Sequence, residues 1–289
     1  MAKCYTIENW KAQSKYMIMV PYAQVANMLT GANVTVNNSD KQRELYLKNC
    51  CVALVSAKYY NPDCDVALVT NIEVPQPYAG ILENAGVAII YLAFDKFNFG
   101  ENYTWGLAVY KLCAQYHISR NTQYDAIACI DSDTCCQAHY APVWEDVSSG
   151  AVFYRLATGR ADSTASKIFA EAATFRGTDG DFTHYGGEFF AASAAQMHQI
   201  TEREEVIFEK MMETGFRVST GDEFISSLVA NEMPECVRLA NEHVFRFWTG
   251  AFRSISPSYK TTLVCLHVPA EKSTGMIRMF GGDFIEQIA

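Results

Sequence analysis

Asp131-Ser132-Asp133-Thr134 follows directly on the apolar run Ala126 to Ile130, AIACI. Two carboxylates one residue apart on a tight turn can converge on one hard cation, and that cation can neutralise phosphate oxygens. The turn therefore reads as a metal–diphosphate site with Ser132 between the two ligands. Its bland reading is a solvated turn, because Asp-x-Asp is a frequent triplet. Position favours the first: the run before it has the length and composition of a buried strand, and open α/β sheets bind ligands at the carboxyl ends of their strands.

The chain around the turn has 289 residues, 49% hydrophobic and 19% charged, so it is a globular composition able to bury a sizeable core. Tyr16 to Val20 predicts a first strand that stops at Pro21. Ser39 or Asp40 is placed to cap a helix carrying Leu45, Val52, Val55 and Tyr59. Strands follow at Val66 to Thr70 and Val87 to Leu92, with a helix from Pro77 to Asn84 between them. Trp105, Val109, Leu112 and Tyr116 recur at spacings of four, three and four, predicting a helix over Tyr103 to His117 that packs on the sheet. Beyond Asp131 the pattern is mixed: strands at Ala151 to Leu156, Glu188 to Ala192, Val244 to Trp248 and Leu263 to His267, and helices at Thr201 to Glu213 and Glu223 to Ala230. The expectation is an α/β fold, a mostly parallel central sheet flanked by helices with an irregular C-terminal half. No tract or repeat divides it, so we read residues 1–289 as one domain, with a nucleotide-binding half at about 14–135 and an acceptor-binding half at about 136–289.

The 32 acidic and 23 basic residues leave a net charge of -9, which argues against nucleic acid. Anionic ligands need a local positive feature instead. The longest apolar stretch, Val87 to Phe94, is far short of the roughly 20 residues of a membrane helix. Met1 to Trp10 lacks a signal-peptide core, so the chain is expected to be cytoplasmic. Ten cysteines without a CxxC pair read as reduced core thiols. In the same compartment the glycosylation triplets at Asn33, Asn37 and Asn102 are chance matches.

Two families place Asp-x-Asp after a strand. In haloacid-dehalogenase-type phosphatases the first Asp is a nucleophile on the first strand, with Thr or Val four residues on. Here that position is Cys135 and the strand is about the fourth, although Lys167 and the acids at Asp179 to Asp181 keep this reading open. The wider resemblance is to nucleotide-sugar-dependent glycosyltransferases of the GT-A fold, in the retaining, glycogenin-like group. It covers most of the chain as an order of short motifs: VALVTN from Val66, YTWGLAVYKLCAQY from Tyr103 leading into YDAIACIDSDT, HYGGEFFAAS from His184, and CLHVPAEK from Cys265.

That resemblance implies a Mn²⁺- or Mg²⁺-dependent transfer of a hexose or related sugar from a nucleoside-diphosphate sugar to a sugar or glycan acceptor. His267 would join Asp131 and Asp133 as a nitrogen ligand, and Lys272 would meet a phosphate oxygen. The spacing His-x4-Lys is one residue shorter than the family's usual form, and the following Pro-Trp is absent. Lys111 resembles a basic position that touches ribose or phosphate; its alternative is a solvated helix face. Pro21 and Tyr22 would face the base.

The reacting centre of such a transfer calls for a carboxylate near the anomeric carbon. Glu188 in GGEFF is one candidate, pointing either into the cleft or into solvent, with Gly186 and Gly187 leaving room for a ligand. Asp222 and Glu223 resemble the acidic pair at a helix start in blood-group-type galactosyltransferases. Their alternative is a helix cap and a favourable charge at a helix N-terminus. Arg155, Arg160, Lys167 and Arg176 fall in a segment that often helps bind the donor. A non-catalytic glycan- or nucleotide-binding module remains a rival, as does the phosphatase. Gly281-Gly282-Asp283-Phe284 resembles part of the diguanylate cyclase GGDEF signature but lacks its Glu, and reads as a tail.

Overall fold

The alternating faces of one strand organise the molecule. In β2 (Tyr16–Tyr22), Met17 and Met19 are buried in one apolar cluster, and Ile18 and Val20 in another on the opposite face of the sheet. Both faces must therefore be covered. The first cluster is closed by α3 (Tyr110–Asn121), α6 (Ala194–Thr214) and α7 (Asp222–Glu232), the second by α1 (Ser39–Tyr60), α2 (Tyr78–Asn84) and α4 (Ala141–Val147). All six residues of β3 (Asp65–Thr70) are buried, as expected of a strand covered on both sides. The computed structural model describes residues 4–25, 28, 38–100, 103–158, 163–249, 263–282 and 284–285. Arg160, Asn33, Asn37 and Asn102 lie outside them.

The main sheet has eight strands in the order β1-β4-β3-β2-β5-β8-β7-β9. The remaining members are β1 (Cys4–Thr6), β4 (Ala88–Tyr91), β5 (Ala126–Ile130), β7 (Ala151–Thr158), β8 (Thr183–Ser193) and β9 (Val237–Leu239). Pairing is parallel except at β5–β8 and β7–β8, so the expected mostly parallel sheet is present, with its irregularity in the second half. A second sheet joins β10 (Val244–Arg246), β11 (Cys265–His267) and β6 (Thr134–Cys136) in that order. α5 (Ser163–Arg176) and α8 (Gly275–Gly281) complete the elements.

Several boundaries differ from the sequence expectation for local reasons. Asn38, not Ser39 or Asp40, caps α1 by accepting a hydrogen bond from the Lys41 N–H. Strand β2 runs through Pro21 to Tyr22; its last β5 partner is Met19, so the proline sits where the strand has one neighbour only. α3 begins at Tyr110, after a series of turns from Thr104. The C-terminal stretch is not a loose tail: Met276 and Ile285 bury against Val52 and Val55 of α1. All ten cysteines are free thiols and seven are buried. No helix among the described residues is long and apolar enough to cross a membrane.

Candidate active site

The Asp131-Ser132-Asp133 turn links the two sheets. β5 ends at Ile130 in the large sheet, and the chain re-enters pairing at Thr134 in the small one. Strand register then delivers the partners. His267 stands opposite Thr134 in the antiparallel β6–β11 ladder, and the Val268 N–H donates to the Asp133 carbonyl at 2.9 Å. In the parallel β10–β11 ladder Arg246 pairs with His267. On the other side, the Asp131 N–H donates to the Glu188 carbonyl of β8 at 3.1 Å.

This arrangement makes the turn buried rather than solvated. Asp133 is 1% exposed, and one of its carboxylate oxygens lies 3.1 Å from His267 Nε2 and 3.3 Å from Lys272 Nζ. Burial pushes the Asp133 carboxyl up, but His267 and Lys272 more than offset it and hold it well below the usual carboxylate range. Burial likewise lowers His267, yet Asp133, with a further contribution from Glu188, raises it to about 9. Lys272 is buried beside the same carboxylate and over the Tyr46 ring, so its charge is already engaged in the site.

The Lys111 side chain is only 11% exposed, which removes its reading as a solvated helix face. Its Nζ bridges Asp131 Oδ1 at 2.7 Å, Asp222 Oδ2 at 2.9 Å and the Gly187 carbonyl at 2.7 Å. Burial opposes that charge, and the two carboxylates outweigh it, so Lys111 stays protonated well above its ordinary range. Asp222 is not a helix cap: Gly221 holds that place and no side chain caps α7. Burial raises the Asp222 carboxyl to about 6 against the pull of Lys111. Glu223 accepts from or shares a proton with His184 Nε2 at 3.0 Å and remains partly exposed on the cleft wall.

One cleft gathers most of the sequence candidates: Pro21, Tyr22, Lys111, Asp131, Ser132, Asp133, Asp222, Glu223, His267 and Lys272 all line it. Glu188 does not. Its side chain is fully buried behind His267, with Arg246 Nε at 3.5 Å. One face of Tyr22 is already stacked on Tyr46, with ring centroids 5.7 Å apart. Arg155, Lys167 and Arg176 stand away from the cleft. Sequence reasoning missed Arg246, His184 and the α1 wall of Gln42, Arg43 and Tyr46. A charge inside the short apolar run VFRF was the available signal for Arg246.

The glycines before Glu188 have a different purpose from the one expected. A Cβ on Gly186 would strike the Glu188 carboxylate, and one on Gly187 would strike the Asp222 carboxylate and approach Lys111 Nζ at 2.9 Å. They make room for the protein's own charged groups. Gly187→Ala is therefore expected to displace the Lys111–Asp222 pair, with a loss of about 1–3 kcal/mol in stability and a larger fractional loss of turnover, read by thermal unfolding and steady-state kinetics.

Ligand atoms of Asp131, Asp133 and His267 all lie within 4.8 Å of one another. Two carboxylate oxygens and one imidazole nitrogen suit Mn²⁺ or Mg²⁺. In the metal-free protein the protonated His267 and Lys272 neutralise the carboxylates. A cation needs His267 neutral, so its apparent affinity should rise with pH up to about 9. Metal-free stability should move oppositely. A raised pKa stabilises fully below the unfolded value of about 6.5, and that share, on the order of 3 kcal/mol, is lost as pH rises through about 9. Mn²⁺ titrations and denaturant unfolding at pH 6.5, 7.5 and 8.5 check both slopes.

Solved structures share this architecture. A crystal structure of the galactosyltransferase LgtC in complex with donor and acceptor sugar analogues matches with a TM-score of 0.60 at 13% identity, covering 94% of this chain and 96% of that one. The chain has a GT-A fold. An active-site mutant of LgtC matches the same fold with a TM-score of 0.56 at 14% identity, covering 87% of this chain and 86% of that one. No protein-family model and no curated protein matches the sequence. Within the GT-A fold, the cleft described above lies at the carboxyl ends of β2 and β5, where an open α/β sheet binds ligands.

Proposed function

We propose that the protein is a metal-dependent glycosyltransferase that moves a sugar from a nucleoside-diphosphate sugar to a sugar or glycan acceptor, in glycan or surface polysaccharide synthesis. The observation that carries this reading is the convergence of Asp131, Asp133 and His267 beside Lys272, in one cleft of a GT-A fold. A divalent cation held by the three ligands supplies the positive charge that a diphosphate requires in a protein of net charge -9.

The chain's own residues divide the remaining work. Lys272 and the ligand set define the phosphate end of the cleft. Asp222 and Glu223, fixed by Lys111 and His184, put negative charge beside the ligand set, across Lys111 from Asp131, where it stabilises an oxocarbenium-like centre or orients an acceptor hydroxyl. Pro21 and Tyr22 close the nucleoside end. Within this reading the half at about 14–135 holds the nucleotide and the half at about 136–289 the acceptor, although Arg246, His267 and Lys272 lend the second half's side chains to the donor cleft.

Incubation with uridine- and guanosine-diphosphate sugars, with and without Mn²⁺, tests the proposal. Nucleoside diphosphate release that needs both Mn²⁺ and one of the donors is expected. Hydrolysis of simple phosphate esters with no donor turnover would replace it with the phosphatase, and donor binding without release or transfer with the non-catalytic module. The phosphatase has little support: Lys167, Asp179 and Asp181 lie outside the cleft, and Asp131 is engaged by Lys111.

A further inference from the structure

Glu188 is a fully buried carboxylate that faces neither the cleft nor solvent. Its polar neighbours belong to the candidate site. Oε1 lies 3.6 Å from His267 Nδ1 and 3.5 Å from Arg246 Nε, while its backbone carbonyl accepts from the Asp131 N–H. At these distances the groups are in ionic contact without a completed hydrogen bond: His267 Nδ1, Arg246 Nε and both Glu188 oxygens have no hydrogen-bond partner among the described residues. The imidazole thus stands between two sets of carboxylates, with Glu188 on its Nδ1 edge and Asp131 and Asp133 on its Nε2 edge at 3.7 and 3.1 Å.

We propose that Glu188 is a positioning residue for His267: its buried carboxylate keeps the proton on Nδ1, so that Nε2 is presented to Asp131 and Asp133 as a neutral ligand for a divalent cation. This rests on the metal site of the proposed function. Among the described residues no other hydrogen-bond acceptor engages Nδ1. An ionised carboxylate only accepts hydrogen bonds, so it selects the Nδ1–H tautomer, and a ligating histidine is commonly held by such a partner. Arg246 Nε approaches the same oxygen, Oε1, at 3.5 Å and sets a compensating positive charge beside the buried carboxylate. Gly186 leaves the space: any side chain there would occupy the position of the Glu188 carboxylate.

Glu188→Gln preserves shape but offers an amide that can turn its NH₂ toward Nδ1 and stabilise the wrong tautomer. Mn²⁺ dissociation constants would be measured by the paramagnetic resonance of free Mn²⁺ for the wild type, Asp133→Ala, Glu188→Gln and Glu188→Asp. Glu188→Gln should bind about 10–100-fold more weakly, and Glu188→Asp, which keeps the charge, should recover part of the loss. Imidazole ¹⁵N shifts of the Mg²⁺-loaded wild type supply a readout that does not depend on any variant folding: Nδ1 of His267 should carry the proton. If the wild type binds Mn²⁺, Asp133→Ala does not, and Glu188→Gln binds like the wild type, the positioning role is overturned. Protonation at Nε2 in the loaded wild type overturns it equally. Mn²⁺ binding unaffected by Asp133→Ala would instead overturn the metal site itself.

Discussion

Asp133→Ala should remove metal-dependent turnover and lower the stability of the metal-free protein by about 3–5 kcal/mol, the usual cost of stripping one partner from a buried ion pair. A sequence-only view puts Asp133 on a surface turn, where alanine would leave the fold untouched. In the structure its carboxylate compensates the buried His267 and Lys272. Removing it leaves the buried Lys272 without its carboxylate and lets the buried His267 lose its proton. Asp133→Asn keeps the volume and should show the functional loss at a smaller cost to folding. Denaturant unfolding with the metal chelated, and Mn²⁺-dependent diphosphate release, separate the two effects. Unchanged unfolding of Asp133→Ala would contradict the buried network.

Lys111→Met should be the second most damaging change, because one ammonium holds Asp131, Asp222 and the Gly187 carbonyl together. Without it the Asp131 and Asp222 carboxylates are left close together with no cation between them. We expect about 3–5 kcal/mol of destabilisation, seen as a fall of roughly 6–15 °C in Tm, and a loss of activity of about 100-fold from displaced groups. The carboxyl of Asp222, already raised to about 6, should climb further and hold its proton at neutral pH. Adding Asp222→Asn should therefore return much of the lost stability without returning the activity. A Tm for Lys111→Met within a degree or two of the wild type would show that the bridge carries little.

The parts of this account that were legible in the sequence share a physical cause. Val66 to Thr70 and Ala126 to Ile130 are uninterrupted apolar runs, and a parallel sheet covered on both faces demands them, so the sheet's centre and the position of the acidic turn could be read directly. His267 was legible as the end of such a run. What the sequence concealed is set by long-range register. Nothing local says that Thr134 faces His267 across an antiparallel ladder, or that Arg246 is its parallel neighbour, because both depend on pairings between residues far apart in the sequence. The same blindness left a solvated face open as the alternative for Lys111 and a cap as the alternative for Asp222. Gly186 and Gly187 were recognised as a place of close approach, but what approaches is Glu188, Asp222 and Lys111.

The most direct test of the central claim is a crystal grown with Mn²⁺ and a nucleoside diphosphate, with the metal located by its anomalous scattering. The account predicts a single strong peak between Asp131, Asp133 and His267, with diphosphate oxygens on its open side. A peak at the other cluster of potential ligands, Asp95, Cys113 and His117, with none at the acidic turn, would contradict it.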